Sequence, residues 1–106
     1  MQISELQKLM YQLYFHNDSR RGAKATYDWL KDEVRELGEA LEERNGAIEK
    51  EFADVIAWLA SLANVVGIDL EKAVLGKYAG KCPKCGSMPC KCPFRGSPTS
   101  VSAPDL

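Results

Sequence analysis

The sequence predicts an all-α protein, an antiparallel four-helix bundle followed by a small cysteine-bearing segment. Three observations carry that reading. Before residue 80, apolar residues recur at spacings of three and four, and no alternating run of strand length interrupts them. Glycines and turn residues separate the periodic stretches at short intervals, which favours antiparallel neighbours. After Lys81 the composition changes: all four cysteines fall in residues 82–92, and 95–106 is rich in Ser and Pro. The chain therefore divides into a helical domain over 1–81, a cysteine segment over 82–94 and a tail over 95–106. The tail cannot bury enough apolar surface to stay ordered and is expected to be flexible.

Ile3, Leu6, Leu9, Met10, Leu13 and Tyr14 form the stripe of the first helix. His16-Asn17-Asp18 and Gly22 are expected to break it, with Thr26 or Asp28 capping the next helix. The second helix runs from about Thr26 to Arg44 on the stripe Leu30, Val34, Leu37 and Leu41, and Asn45-Gly46 supplies the turn. A third helix spans about Ile48 to Val66, with Phe52, Val55, Ile56, Leu59, Leu62 and Ala63 facing inward and Gly67 stopping it. Asp69 is the amino cap of a short fourth helix through Leu70, Ala73, Val74 and Tyr78, which Gly80 ends.

Composition narrows the function classes. With fourteen basic and fifteen acidic residues in 106 and a net charge of −1, nothing in the balance calls for a nucleic-acid polymer or an anionic membrane. The most apolar stretch, Phe52 to Ile68, is interrupted by Asp54, Ser61 and Asn64 and is too short and polar for a membrane span. The amino terminus lacks the pattern of a secretory signal, so the expected compartment is the cytoplasm, where clustered cysteines bind metal more often than they pair. A domain this small gains from packing against further copies or from a metal staple.

The acids of helices two and three are not scattered. Glu33 and Glu36 fall about 100° to one side of their helix's apolar stripe, and Glu51 and Asp54 fall off theirs by a similar angle in the same sense. If the helices pack antiparallel through these stripes, both pairs reach the same side of the hairpin. Residues level with each other in such a hairpin share a constant sum of residue numbers. Glu36 with Glu51, Glu33 with Asp54, and Trp29 with Trp58 share one such sum. Four carboxylates in one patch repel one another unless a cation sits among them, and Mg²⁺ suits oxygen ligands and bridges carboxylates to substrate phosphates. Glu39, Glu42, Glu43 and Glu49 read as an ordinary solvated face. Trp29 and Trp58 either stack on a base or fill the core or a subunit interface, and His16, the only histidine, reads as a surface or capping residue.

The stretch WLKDEVRELGEAL at 29–41, followed by EFADVIAWL at 51–59 and LAN at 62–64, resembles the E-E-x-x-E and E-x-x-D signature of MazG-like nucleotide pyrophosphohydrolases. The likeness extends from about residue 10 to Lys81. It implies an all-α MazG fold, a homodimer or homotetramer, and hydrolysis of a nucleoside triphosphate to the monophosphate and pyrophosphate, often as nucleotide-pool house-cleaning. It assigns Mg²⁺ to Glu33, Glu36, Glu51 and Asp54, and water attack on the α-phosphorus with Glu33 or Glu36 as the assisting base. Asp32 departs from the family, standing where the motif usually opens with Glu. Arg21 and Lys77 are candidates for phosphate contact, the alternative being a solvated surface role. The resemblance gives Asn64 a part in holding sugar or base; an Asn within an apolar helix can equally be a satisfied internal hydrogen bond.

Cys82-Pro-Lys-Cys85-Gly followed by Cys90-Lys-Cys92 places four thiols within eleven residues. A C-x-x-C turn with glycine after its second cysteine lets amides approach the sulfurs, and four thiolates match the closed tetrahedral site of structural Zn²⁺. Disulfides, an iron–sulfur centre and unliganded thiols are the alternatives. Two competing functions stand beside the enzyme: a nucleic-acid-binding zinc module on a helical scaffold, suggested by Lys81, Lys84, Lys91 and Arg95, and a non-catalytic helical oligomer.

Overall fold

The computed structural model describes residues 1–44 and 46–98. Asn45 of the expected Asn-Gly turn and residues 99–106 of the expected flexible tail lie outside the described residues. The protein is all-α, with four helices and no strand among the described residues: α1 (Ile3–Arg21), α2 (Ala23–Glu43), α3 (Ile48–Val66) and α4 (Leu70–Lys77). The chain forms two compact units, Met1–Ala73 and Val74–Leu106, so the division falls inside α4.

The first helix is longer than its sequence pattern suggested. His16-Asn17-Asp18 does not break it; α1 continues to Arg21. Asp18 is 2% exposed and pairs with Arg21 at 2.8 Å, so a residue that usually ends helices is held inside one by burial and by its i+3 partner. The break comes at Gly22, whose N–H donates to the Asp18 carbonyl at 3.0 Å and whose φ of 85° with ψ of 170° belongs to a region open essentially to glycine alone.

Neither Thr26 nor Asp28 caps α2, which begins at Ala23 with Gly22 as its cap. The Thr26 hydroxyl instead donates to the Gly22 carbonyl at 2.7 Å, and Asp28 takes the Lys24 ammonium at 3.0 Å. At the other end Arg44 adopts the left-handed conformation, φ 49°, which costs an L-residue about 1–2 kcal/mol. The remaining boundaries agree with the pattern. Gly67 closes α3 at φ 73° and the Asp69 carboxylate accepts the Lys72 N–H at 3.0 Å as the cap of α4, which ends at Lys77 ahead of Gly80.

Helix α3 packs against both α2 and α1, while α1 and α2 touch each other less. The closest seams use small residues: Ala40, Ala60, Ser61 and Ala63 are buried. The stripes expected inside are covered by this chain only in part: Leu30, Leu37, Val55 and Leu62 are half-buried. Val34, Leu41, Phe52, Ile56 and Leu59 are all exposed, Phe52 at 57%. Three slender helices joined by short turns have too little mass to surround a stripe wider than the alanine seams. No single helix among the described residues is long and apolar enough to cross a membrane.

Candidate functional site

The register of the α2–α3 hairpin is fixed by its aromatic pair. Trp29 and Trp58 stack with ring centroids 6.0 Å apart and planes inclined by 21°. One turn nearer the loop, Glu33, Glu36 and Glu51 each offer a carboxylate oxygen, all within 4.8 Å of one another. Glu51 is buried at 8%, and the Oε2 atoms of Glu33 and Glu51 are both shielded from solvent and without a hydrogen-bond partner. A buried oxygen without a donor costs about 1–3 kcal/mol, more when charged. Burial first, then hydrogen bonding to Glu36 and the charges of Glu36, Asp54 and Glu51, holds the Glu33 carboxyl above its ordinary value. Converging oxygens that lack donors suit a hard divalent cation.

The fourth expected carboxylate is near but turned aside. Asp54 Oδ2 accepts a 2.7 Å hydrogen bond from Lys50 Nζ, whose ammonium also lies 3.6 Å from Glu51 Oε1. Asp54 is thus outside the close triad while still adding its charge to Glu33. Lys50 is the residue that sequence reasoning missed, although its position four before Asp54 on a helix could have revealed it. Asp32, the departure from the family motif, is engaged by Arg35 Nε and Nη2 at 3.0 Å; Arg35 also reaches Glu39 at 2.6 Å.

Asp54, whose charge acts on Glu33, also lines a cleft of about 380 Å³ together with Asn17, Asp18, Arg21, Trp58 and Ser61 among others. Arg21 is half-buried there, with its guanidinium carbon 4.9 Å from the centroid of Trp58 and its Nη1 on Asp18. Asn64 is elsewhere. Its side-chain amide donates to the Gln7 carbonyl at 3.1 Å, and Gln7 in turn donates to the Ile68 carbonyl at 2.7 Å and accepts from the Leu70 N–H at 3.0 Å. The Asn64 amide is therefore one bond in a clasp between α1 and the α3–α4 turn, and it lines a different, more open depression with Ser4, Lys8 and Asp69. Lys77 closes α4 in the second unit, its ammonium 5.6 Å from the ring centroid of Tyr78.

In the second unit the four thiols converge. All Sγ atoms of Cys82, Cys85, Cys90 and Cys92 lie within 4.8 Å, with Cys82–Cys92 at 3.8 Å and Cys85–Cys90 at 3.9 Å. The turn that brings them together is closed by Gly86 N–H to the Cys82 carbonyl at 2.8 Å and Cys82 N–H to the Ser87 carbonyl at 3.0 Å, with Gly86 at φ 73°. Amides point at the sulfurs: the Lys91 N–H donates to Cys85 and the Cys92 N–H to Cys90, each at 3.2 Å. The Lys91 and Ser87 amides lower the Cys85 thiol to about 6, whereas its neighbours, Cys90 foremost, push Cys92 up to about 12. Such crowding is relieved when a thiophilic cation takes all four as thiolates.

An all-α chain whose central hairpin gathers three carboxylates within 4.8 Å of one another has, in that hairpin, a group of oxygens able to hold a metal ion. The chain belongs to the MazG nucleotide pyrophosphohydrolase domain family, whose sequence pattern matches residues 21–86. That match takes in the acidic helices α2 and α3 together with Cys82 and Cys85, and leaves most of α1 outside. Among curated proteins none matches the chain.

Proposed function

We propose that the protein is a Mg²⁺-dependent nucleoside triphosphate pyrophosphohydrolase, yielding the monophosphate and pyrophosphate, with a house-cleaning role on the cytoplasmic nucleotide pool. The observation that carries the reading is the Glu33–Glu36–Glu51 triad, with two orphaned buried oxygens, together with a cleft that Asp54 lines and that holds a guanidinium. Octahedral Mg²⁺ at about 2.1 Å places cis oxygens about 3.0 Å and trans oxygens about 4.2 Å apart, a span the triad's 4.8 Å limit accommodates. Bound there, the ion supplies charge neutralisation on the phosphates and lowers the pKa of a water.

The residues themselves divide the remaining work. Glu33 and Glu36 on α2 and Glu51 and Asp54 on α3 are the residues that would hold the ion, from both arms of the hairpin, with Asp54 released from Lys50. Glu33 and Glu36 are the carboxylates we place beside the attacking water. Arg21, held by Asp18 and Trp58, keeps donors for a phosphate oxygen, because Asp18 occupies only its Nη1. We assign Lys77 to the phosphates and Asn64 to the sugar or base only as the family resemblance implies.

Incubating the pure protein with a nucleotide panel and Mg²⁺ tests the reading. Monophosphate and pyrophosphate are the expected products; folded, Mg²⁺-replete protein that forms neither would refute it. We also propose a homodimer or homotetramer, in which a second copy covers Val34, Leu41, Phe52, Ile56 and Leu59. Sedimentation should show the oligomer, and Leu59→Glu should dissociate it.

The cysteine cluster is proposed to hold structural Zn²⁺. Four sulfurs at 2.3 Å from one ion lie about 3.8 Å apart in a tetrahedron, which the 3.8 Å and 3.9 Å separations match. A second reading, nucleic-acid binding by this unit, is favoured by one observation: residues 74–98 carry five cations and no acid. Four thiolates around one Zn²⁺ leave two negative charges, so an excess of positive charge survives. Absence of any binding to RNA or DNA at low salt would eliminate that reading.

A further inference from the structure

Asp18 has been described so far only as the partner that holds Arg21, yet it is the most unusual acid in the first unit. It is 2% exposed in the middle of α1's last turns, and Oδ1 takes the Arg21 Nη1 at 2.8 Å while Oδ2 is buried with no partner. An ion pair between i and i+3 needs no such burial, since pairs of this kind stand on helix surfaces. Arg21 is itself positioned by Trp58, so the carboxylate is fixed in rotation and the direction of its free oxygen is set.

Asp18 lines the same cleft as Asp54, whose charge acts on Glu33 of the carboxylate triad. At about 380 Å³ the cleft falls within the range of small-molecule pockets. Met10 and Ala57 give it apolar lining, Tyr14 adds a half-exposed ring, and Asn17 places an amide beside Asp18. This is the composition of a pocket for a flat heterocycle: apolar surface with a few oriented polar groups.

An ionised carboxylate only accepts hydrogen bonds, so its complement must be an N–H, and a carbonyl in that place meets repulsion. The neighbouring Asn17 amide both donates and accepts, as a ring nitrogen adjacent to an amino group requires. We propose that this cleft is a base-reading subsite in which Asp18 Oδ2 accepts from an exocyclic amino group. The protein then selects nucleotides whose base carries an amino group over those with a carbonyl in its place. The inference rests on the nucleotide hydrolase reading and adds to it the chemical class of the base.

Two nearly isosteric pairs isolate the amino group: cytidine against uridine, and adenosine against inosine. Their non-hydrolysable α,β-imido triphosphates, titrated with Mg²⁺ into the full chain by calorimetry, should bind with the amino member about ten- to hundredfold tighter, the worth of one hydrogen bond to a charged group. Asp18→Asn should bring both ratios close to one, because an amide donates as readily as it accepts. If that variant fails to fold, Asp18→Glu keeps the charge and displaces the free oxygen by one methylene, and should also collapse the ratios. Equal affinities within each pair, preference for the oxo members, ratios unchanged in the variant, or no nucleotide binding would each overturn the subsite. Turnover of the four natural triphosphates separates the two readings. Equal kcat/KM for all four rejects the subsite and leaves the hydrolase standing, whereas amino-selective binding without turnover supports the subsite and rejects the hydrolase.

Discussion

The acidic hairpin and the cysteine segment each carry four side chains of a kind that can ligate a metal, and they gather them in opposite ways. On the hairpin, rigid helices bring together residues from Glu33 to Asp54, and the result is incomplete: three carboxylates converge, Asp54 is drawn off by Lys50, and two oxygens have no donor. In the segment, tight turns within eleven residues close four sulfurs on one another, with backbone amides directed at two of them. An oxygen site that keeps open positions can admit a substrate, whereas a closed tetrahedron of thiolates has none to offer. On the proposed reading, the difference teaches that ligand number alone does not separate a working centre from a structural one; unfilled coordination does.

The sharpest break between the two should come from removing the soft metal. A strong chelator, or Cys92→Ser, should release one equivalent of Zn²⁺ and leave residues 82–92 open to protease, since structural zinc contributes about 10–16 kcal/mol in comparable small sites. Nucleotide hydrolysis with Mg²⁺ should persist. Hydrolysis that vanishes with the zinc would show that the contrast between working and structural centres is false.

Next in size is the hard site. Glu51→Gln keeps shape and removes a ligand charge, and should lower hydrolysis by about a hundredfold or more with helicity by circular dichroism unchanged. Undiminished turnover would remove Glu51 from the centre. A smaller effect is expected at Lys50. Lys50→Met frees the Asp54 carboxylate and removes a competing cation, so Mg²⁺ affinity should rise about two- to fivefold, the scale of one exposed ion pair. A fall in affinity would mean that Lys50 supports the site.

The smallest effect is the pH dependence of the metal-free protein. The Glu33 carboxyl lies above its ordinary value because burial and neighbouring acids disfavour its charge. Its contribution to stability is therefore present below the unfolded-state value and is lost as pH rises through the raised folded-state value. Thermal unfolding should show metal-free protein losing stability as pH rises above the ordinary carboxylate range, and Mg²⁺ should suppress that loss. A loss of the same size with Mg²⁺ present would separate Glu33 from the ion.

Much of this was legible from residue spacing. The extent of α3, its stop at Gly67, the Asp69 cap and the level pairing of Trp29 with Trp58 follow from periodicity and cap chemistry, because those are local or depend on one hairpin's register. The end of α1 was not legible, since Asp18 looks like a helix breaker until its burial and its Arg21 partner are known. Nor was the loss of Asp54 from the triad, which depends on which rotamer Lys50 favours. Asn64 illustrates both sides: its place on an apolar helix marked it out, and only the fold showed it bonded to Gln7.

By itself the sequence determined the all-α class, the two ligand chemistries and the side of the hairpin on which the acids stand. Those follow from helical rotation and from what carboxylates and thiols bind. The tertiary structure decided which carboxylates meet, that part of the large apolar stripe is left uncovered by a single chain, and that a buried aspartate lining the cleft keeps one oxygen without a partner. These depend on distances between helices and on competition among side chains, and neither is a property of any one segment.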